Sequence, residues 1–272
     1  MKRIINRYPD RTLSVLLGAL PFVLVLITYI MASNARLEEN AHDKLLPSVS
    51  SMTTAVDKLA MQPSKRSGEY LFWLDTSSSL TRLGMGIGIA AIIGLVFGII
   101  NGSIPYVRAN LSPFITAISL VPPLAVLPIL FIVFGLGELS KVVLIAIGIT
   151  PFIIRDMQTN VMELPAEQMI KAQTLGASSW LIIIRVVLPQ VLPRLIGALR
   201  LSLGAAWLFL IAAEAIASTD GLGYRIFLVR RYLAMDIILP YVIWITFLSF
   251  FTDYLLKILS ERLFPWFHAT GK

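Results

Sequence analysis

Cysteine is absent from the 272 residues, which excludes disulfides and thiol chemistry from this chain. Only two histidines occur, His42 and His268, too far apart in sequence to suggest a metal cluster. Charge is scarce, with 14% Asp, Glu, Lys and Arg. No GxxxxGK[ST] phosphate loop is present: the terminal Gly271-Lys272 has Trp266 where the first glycine should stand. Nor is there a Gly-x-Ser-x-Gly elbow, a His-Glu-x-x-His pair or a cluster of carboxylates, so an enzyme reading has almost no support. Polar blocks long enough for a soluble domain are missing, as are repeats of the length that builds solenoids.

What the chain does have is apolar sequence in long blocks, 57% of residues, with a mean hydropathy of +0.79. We read one integral membrane domain over residues 1–272, all α-helical, with about six transmembrane helices. Runs near the roughly 20 residues needed to cross a bilayer lie at 13–33, 83–101, 111–137, 195–219 and 237–256. A sixth is short: "VVLIAIGITPFII" fills the interval between Lys141 and Arg155. The first run follows a basic N-terminus and could pass for a signal peptide, but its core is too long, and it is read as a retained span.

Six spans put both termini on one side, and Lys2, Arg3, Arg7 and Arg11 put that side in the cytoplasm. The segment 34–78 is then external, and its five basic residues (Arg36, Lys44, Lys58, Lys65, Arg66) are offset by six acids. The longest cytoplasmic segment runs over 155–194. The loop after the fifth span breaks the charge rule, carrying Arg225, Arg230 and Arg231 outside. Interior loops and this exception account for the net charge of +7 without any nucleic-acid partner. The external arginines either dock an acidic surface or a soluble anion, or else snorkel to lipid phosphates.

Within 155–194, "PAEQMIKAQTL" reads as a short helix with Pro165 in its first turn and Gly176 just past its end. Ser178 or Ser179 can cap a second helix near Trp180, which Pro189 and Pro193 are expected to interrupt. Gly86, Ala90, Gly94, Gly98 and Gly102 recur every four residues in span two, a stripe on which another helix can pack closely, whether as a static seam or a sliding contact. Span three holds Pro113, Pro122, Pro123 and Pro128, and backbone freed by proline at membrane depth needs protein or a watery path to satisfy it. Glu214 is the one acid well inside a span, either a path residue or half of a buried pair with an arginine such as Arg200 or Arg231. Asp253 and Lys257 are spaced for a local ion pair.

"IKAQTLGASSWLIIIRVVLP" resembles the EAA loop of bacterial ABC importer permeases: Ala172, Gly176 and Pro189 match, while Ile170 stands in place of the usual glutamate and Lys171 in place of the first alanine. "LLPSV", "SSSLTRLGMGIGIA", "SLVPPLAVLPILFIVFGLGELSK", "AAEAIASTDGLGY" and "FPW" occur in this order along the chain and are similar to landmarks of the nitrate/sulfonate/taurine permease family, over about Leu46 to Trp266, with the taurine branch nearest. The resemblance implies a type I ABC importer permease in the bacterial inner membrane. It implies assembly with a second copy, two cytoplasmic ATPase subunits that bind ATP and Mg, and a periplasmic solute-binding protein. It assigns the coupling helix to Ala172, Leu175, Gly176, Ala177 and Ser178. Pro122, Pro123 and Glu214 become candidates for the translocation pathway of a small organic anion, and Arg225, Arg230 and Arg231 for binding-protein docking. The rival from another class is a gradient-driven secondary carrier with Glu214 as proton relay, although the duplicated halves common in such carriers are not evident.

Overall fold

The computed structural model describes residues 9–40, 43–65 and 67–269. The readings that fall on Lys2, Arg3, Arg7, His42, Arg66 and Gly271-Lys272 lie outside the described residues. In chain order the helices are α1 (Arg11–Glu39), α2 (Val49–Met61), α3 (Leu71–Ser103), α4 (Pro105–Ser119), α5 (Pro123–Phe134), α6 (Glu138–Met162) and α7 (Ala166–Thr174). They continue as α8 (Ser179–Ile182), α9 (Leu188–Ala217), α10 (Leu222–Arg230), α11 (Met235–Leu263) and α12 (Pro265–Ala269), and no strand occurs among the described residues. Among the described residues four helical stretches are long and apolar enough to cross a membrane: α1, α3, the continuous run Ser179–Ala217, and α11. The pair α4 and α5 makes a fifth, bent by 94°.

The core is built on the glycine stripe. A Cβ at Gly86 would lie 2.7 Å from Ile145 Cβ, and one at Gly102 would lie 2.6 Å from Val161 Cβ. Between them Gly94 and Gly98 meet Ile153 and Met157 with no room at all. Small residues in α3 thus admit the backbone of α6, and the gain is dispersion contact that lipid-facing side chains would not provide. The register also fixes direction: as α3 advances from 86 to 102, its partners in α6 advance from 145 to 161, so the two helices run parallel. On its other side, α6 receives Phe209 of α9 against Gly148. Leu144, Ile145, Ile149, Ile153 and Met157 are fully buried. The interval that is short on apolar residues is therefore the central helix, whose terminal charges Glu138, Lys141, Arg155 and Asp156 dilute its hydropathy.

Proline decides two other features. The expected single span over 111–137 is two helices, because Pro122 and Pro123 have no N–H to carry the helix past Val121, whose own N–H still donates to Ile118 O at 3.0 Å; Pro123 then starts α5 as its first residue. The expected interruption at Pro189 and Pro193 does not occur. The chain widens into a π-helical turn over Ile183–Val187, which gives the proline ring space, and the helix continues through both prolines to Ala217.

Candidate functional site

Two constructions occupy opposite ends of the bundle. At one end, α7 and α8 form a hairpin outside the core. The N–H of Gly176 donates to Gln173 O at 2.9 Å and that of Ala177 to Ala172 O at 3.0 Å, the paired bonds of a Schellman ending. Gly176 has φ +80, which a side chain would strain. Pro165 occupies the cap position rather than the first turn, and Ser178 caps α8 by accepting from Leu181 N at 3.3 Å. Gln190 Nε2 donates to Gln168 Oε1 at 2.8 Å, tying the hairpin to α9, and Arg194 donates to Asn160 at 2.7 Å, tying α9 in turn to α6. Ala172 and Ala177 pack inward against the core, whereas Ile170, Leu175 and Trp180 face out, with Leu175 87% exposed and Trp180 70%. The result is a rigid knuckle with apolar tips, the form of a protrusion that docks in a groove.

At the other end, a buried charge cluster joins α3, α6, α9 and the loop before α10. Glu214 is fully buried and its partner is Arg82 of α3, Nη1 to Oε1 at 2.7 Å, not Arg200 or Arg231. Its carboxylate also accepts from Ser79 Oγ at 2.8 Å and from Gly223 N at 2.9 Å. Arg82 goes on to Asp220 at 2.6 Å and to Glu138, which Lys141 in turn holds at 2.8 Å. A second carboxylate, Asp75, is equally buried and accepts from Gly221 N at 3.0 Å, Arg225 Nε at 2.7 Å and Tyr241 OH at 3.1 Å. Gly221, at φ +115, sits so close that a Cβ would lie 2.5 Å from the Glu214 carboxyl. Two acids in the spans therefore hold one loop by its backbone amides, and two arginines neutralise them.

This arrangement corrects several expectations. Arg225 is spent on Asp75 inside the chain and is not a free docking group, whereas Arg230 and Arg231 are exposed, Arg230 lying 5.0 Å over the Phe227 ring. Asp253 pairs with Arg200 through two bonds of 2.7 and 2.9 Å, and Lys257 approaches Glu261 instead. Pro122, Pro123 and Glu214 are not brought together: α5, about 18 Å long, separates the proline break from the end where Glu138 meets Arg82. A carboxylate whose oxygens are fixed by Arg82, Ser79 and the Gly223 amide is committed to holding the loop, which counts against a proton relay. Arg82 and Asp75 escaped the sequence reading, although their seven-residue spacing puts both on one face of α3 just ahead of its apolar run.

A family model described as "Binding-protein-dependent transport system inner membrane component" matches residues 69–265. The taurine transport system permease protein TauC of Escherichia coli (strain K12) is 37% identical over 194 residues, 71% of this chain and 70% of that protein. The bicarbonate transport system permease protein CmpB of Synechococcus elongatus (strain ATCC 33912 / PCC 7942 / FACHB-805) is 35% identical over 158 residues, 57% of this chain and 56% of that one. Among solved structures, an inward-facing form of the MetNI methionine ABC transporter aligns with a TM-score of 0.62 at 19% identity, covering 74% of this chain and 97% of that chain. A bacterial ABC transporter that imports the polysaccharide alginate aligns at 0.63 with 14% identity, covering 94% and 97%. At such identities the two structures speak for the fold alone.

Proposed function

Because the chain belongs to the family of inner membrane components of binding-protein-dependent transport systems, we propose that it is the membrane subunit of an ATP-driven importer for a small oxyanion of the sulfonate or carboxylate kind. The whole chain acts as one permease domain. Two copies form the pathway, two ATPase subunits hold ATP and Mg, and a periplasmic binding protein delivers the solute. The observation that carries this reading is the α7–α8 knuckle: a glycine-ended helix stapled to α9, which Arg194 ties to α6, with Leu175, Ile170 and Trp180 offered outward. Seated in an ATPase groove, it transmits closure of the ATPase pair to α9, whose far end carries Glu214. The knuckle then faces the cytoplasm with both termini. The charge cluster around Arg82 faces the periplasm, where Arg230 and Arg231 meet the binding protein. The substrate class is supported by the names of the relatives, since taurine carries a sulfonate and bicarbonate is itself an oxyanion.

The test is reconstitution of the chain with its ATPase and binding protein in liposomes, followed by uptake of labelled taurine. Uptake that requires ATP on the knuckle side is the expected result. Uptake driven by a proton gradient without ATPase would replace this reading with the secondary carrier.

A further inference from the structure

α6 carries two neighbouring charges, Arg155 and Asp156, that point to different neighbours. Asp156 accepts from Asn160 at 3.0 Å, within the polar group that Arg194 closes. Arg155 makes a single bond, Nη1 to Ser119 Oγ at 3.1 Å, and among the described residues no carboxylate lies within ion-pair distance of it. Its guanidinium is exposed on the protomer surface. Helical side chains lean toward their helix N-terminus, so Arg155 reaches away from the knuckle end and into the bundle's depth, the reverse of snorkelling. Its acceptor confirms the direction: Ser119 is the last residue of α4, about 20 Å of helix beyond Pro105, and abuts the proline break. Ser119 Oγ itself donates to Thr116 O at 2.8 Å, which fixes it as an acceptor toward Arg155.

An arginine without a carboxylate partner, exposed on the protomer beside a broken span, is costly in lipid unless it faces a polar path or an anion. We infer that Arg155, oriented by Ser119, is the site in the translocation pathway where the guanidinium receives the oxyanion group of the solute. This rests on the importer reading above. A planar fork of N–H donors suits sulfonate or carboxylate oxygens.

Absence of cysteine gives a direct test in the reconstituted complex, with taurine as probe. Arg155→Cys should lower ATP-driven uptake about tenfold or more, the loss of a charge-assisted contact. Aminoethyl methanethiosulfonate, which restores a cation, should recover uptake, whereas the neutral methyl reagent should not. Saturating taurine should also slow labelling of the variant by the anionic sulfonatoethyl reagent. Uptake equal to the parent's, or equal rescue by the neutral reagent, overturns the inference. Should Arg155→Cys fail to assemble, Arg155→Lys and Arg155→Gln are compared: greater uptake by the lysine variant supports the site, and equal uptake refutes it. A parent complex that takes up no taurine with ATP would instead count against the importer reading or its substrate class, so the two failures are distinct.

Discussion

Replacing Arg82 with methionine isolates the energetics of the buried cluster. The side chain is 2% exposed and serves Glu138, Glu214 and Asp220 at once. Their fates differ on its removal. Glu138 is 58% exposed and keeps Lys141, and Asp220 is 27% exposed, so water recovers part of both losses. Glu214 has no exposure and retains only Ser79 and the Gly223 amide. Stranding one partner of a buried ion pair costs about 3–5 kcal/mol. On the scale of domains of 150–250 residues this lowers the unfolding midpoint by roughly 6–20 °C. The assay is thermal unfolding of the purified chain in detergent, for Arg82→Met, Glu214→Gln and the double variant. The double variant should regain much of the loss, because the stranded charge is gone while Ser79 and Gly223 still bond the amide. An Arg82→Met protein that unfolds with the parent, or a double variant less stable than the sum of the singles, would refute the assignment of the cost to an unpaired Glu214.

Three further outcomes follow from the geometry. Gly176→Val forces a β-branched residue to φ +80 and should disrupt the knuckle, so that ATPase subunits no longer co-purify and ATP-driven uptake is lost while membrane insertion persists; normal uptake would remove the coupling assignment. Gly98→Leu should cost several kcal/mol by driving into Met157, whereas Gly84→Leu, which meets nothing, should be tolerated; thermal stabilities that do not separate the two would show that the seam is not where α3 and α6 meet. Arg230→Gln with Arg231→Gln should weaken binding-protein-stimulated ATP hydrolysis and flatten its salt dependence, while Arg225→Gln should instead lower thermal stability by stranding Asp75; stimulated rates and salt response matching the parent would end the docking role.

The helical class, the membrane setting and the short helix ended by Gly176 were legible in the residues because each is a local property: apolar run length, a glycine after a helical pattern, a serine cap. The glycine stripe was legible too, since four-residue spacing on one helix states that something packs there, but not that α6 does. Which carboxylate meets which cation was decided only by tertiary structure. Glu214 and Arg82 lie far apart in sequence, and nothing near Glu214 distinguishes Arg82 from Arg200 or Arg231 until α9 runs antiparallel to α3. Proline showed the same division. Its presence announced disturbed backbone in both 111–137 and 187–193, yet one became a 94° bend and the other a continuous helix through a π-turn. A missing donor can be absorbed by widening a turn or by breaking it, and packing against the neighbouring helices chooses between them.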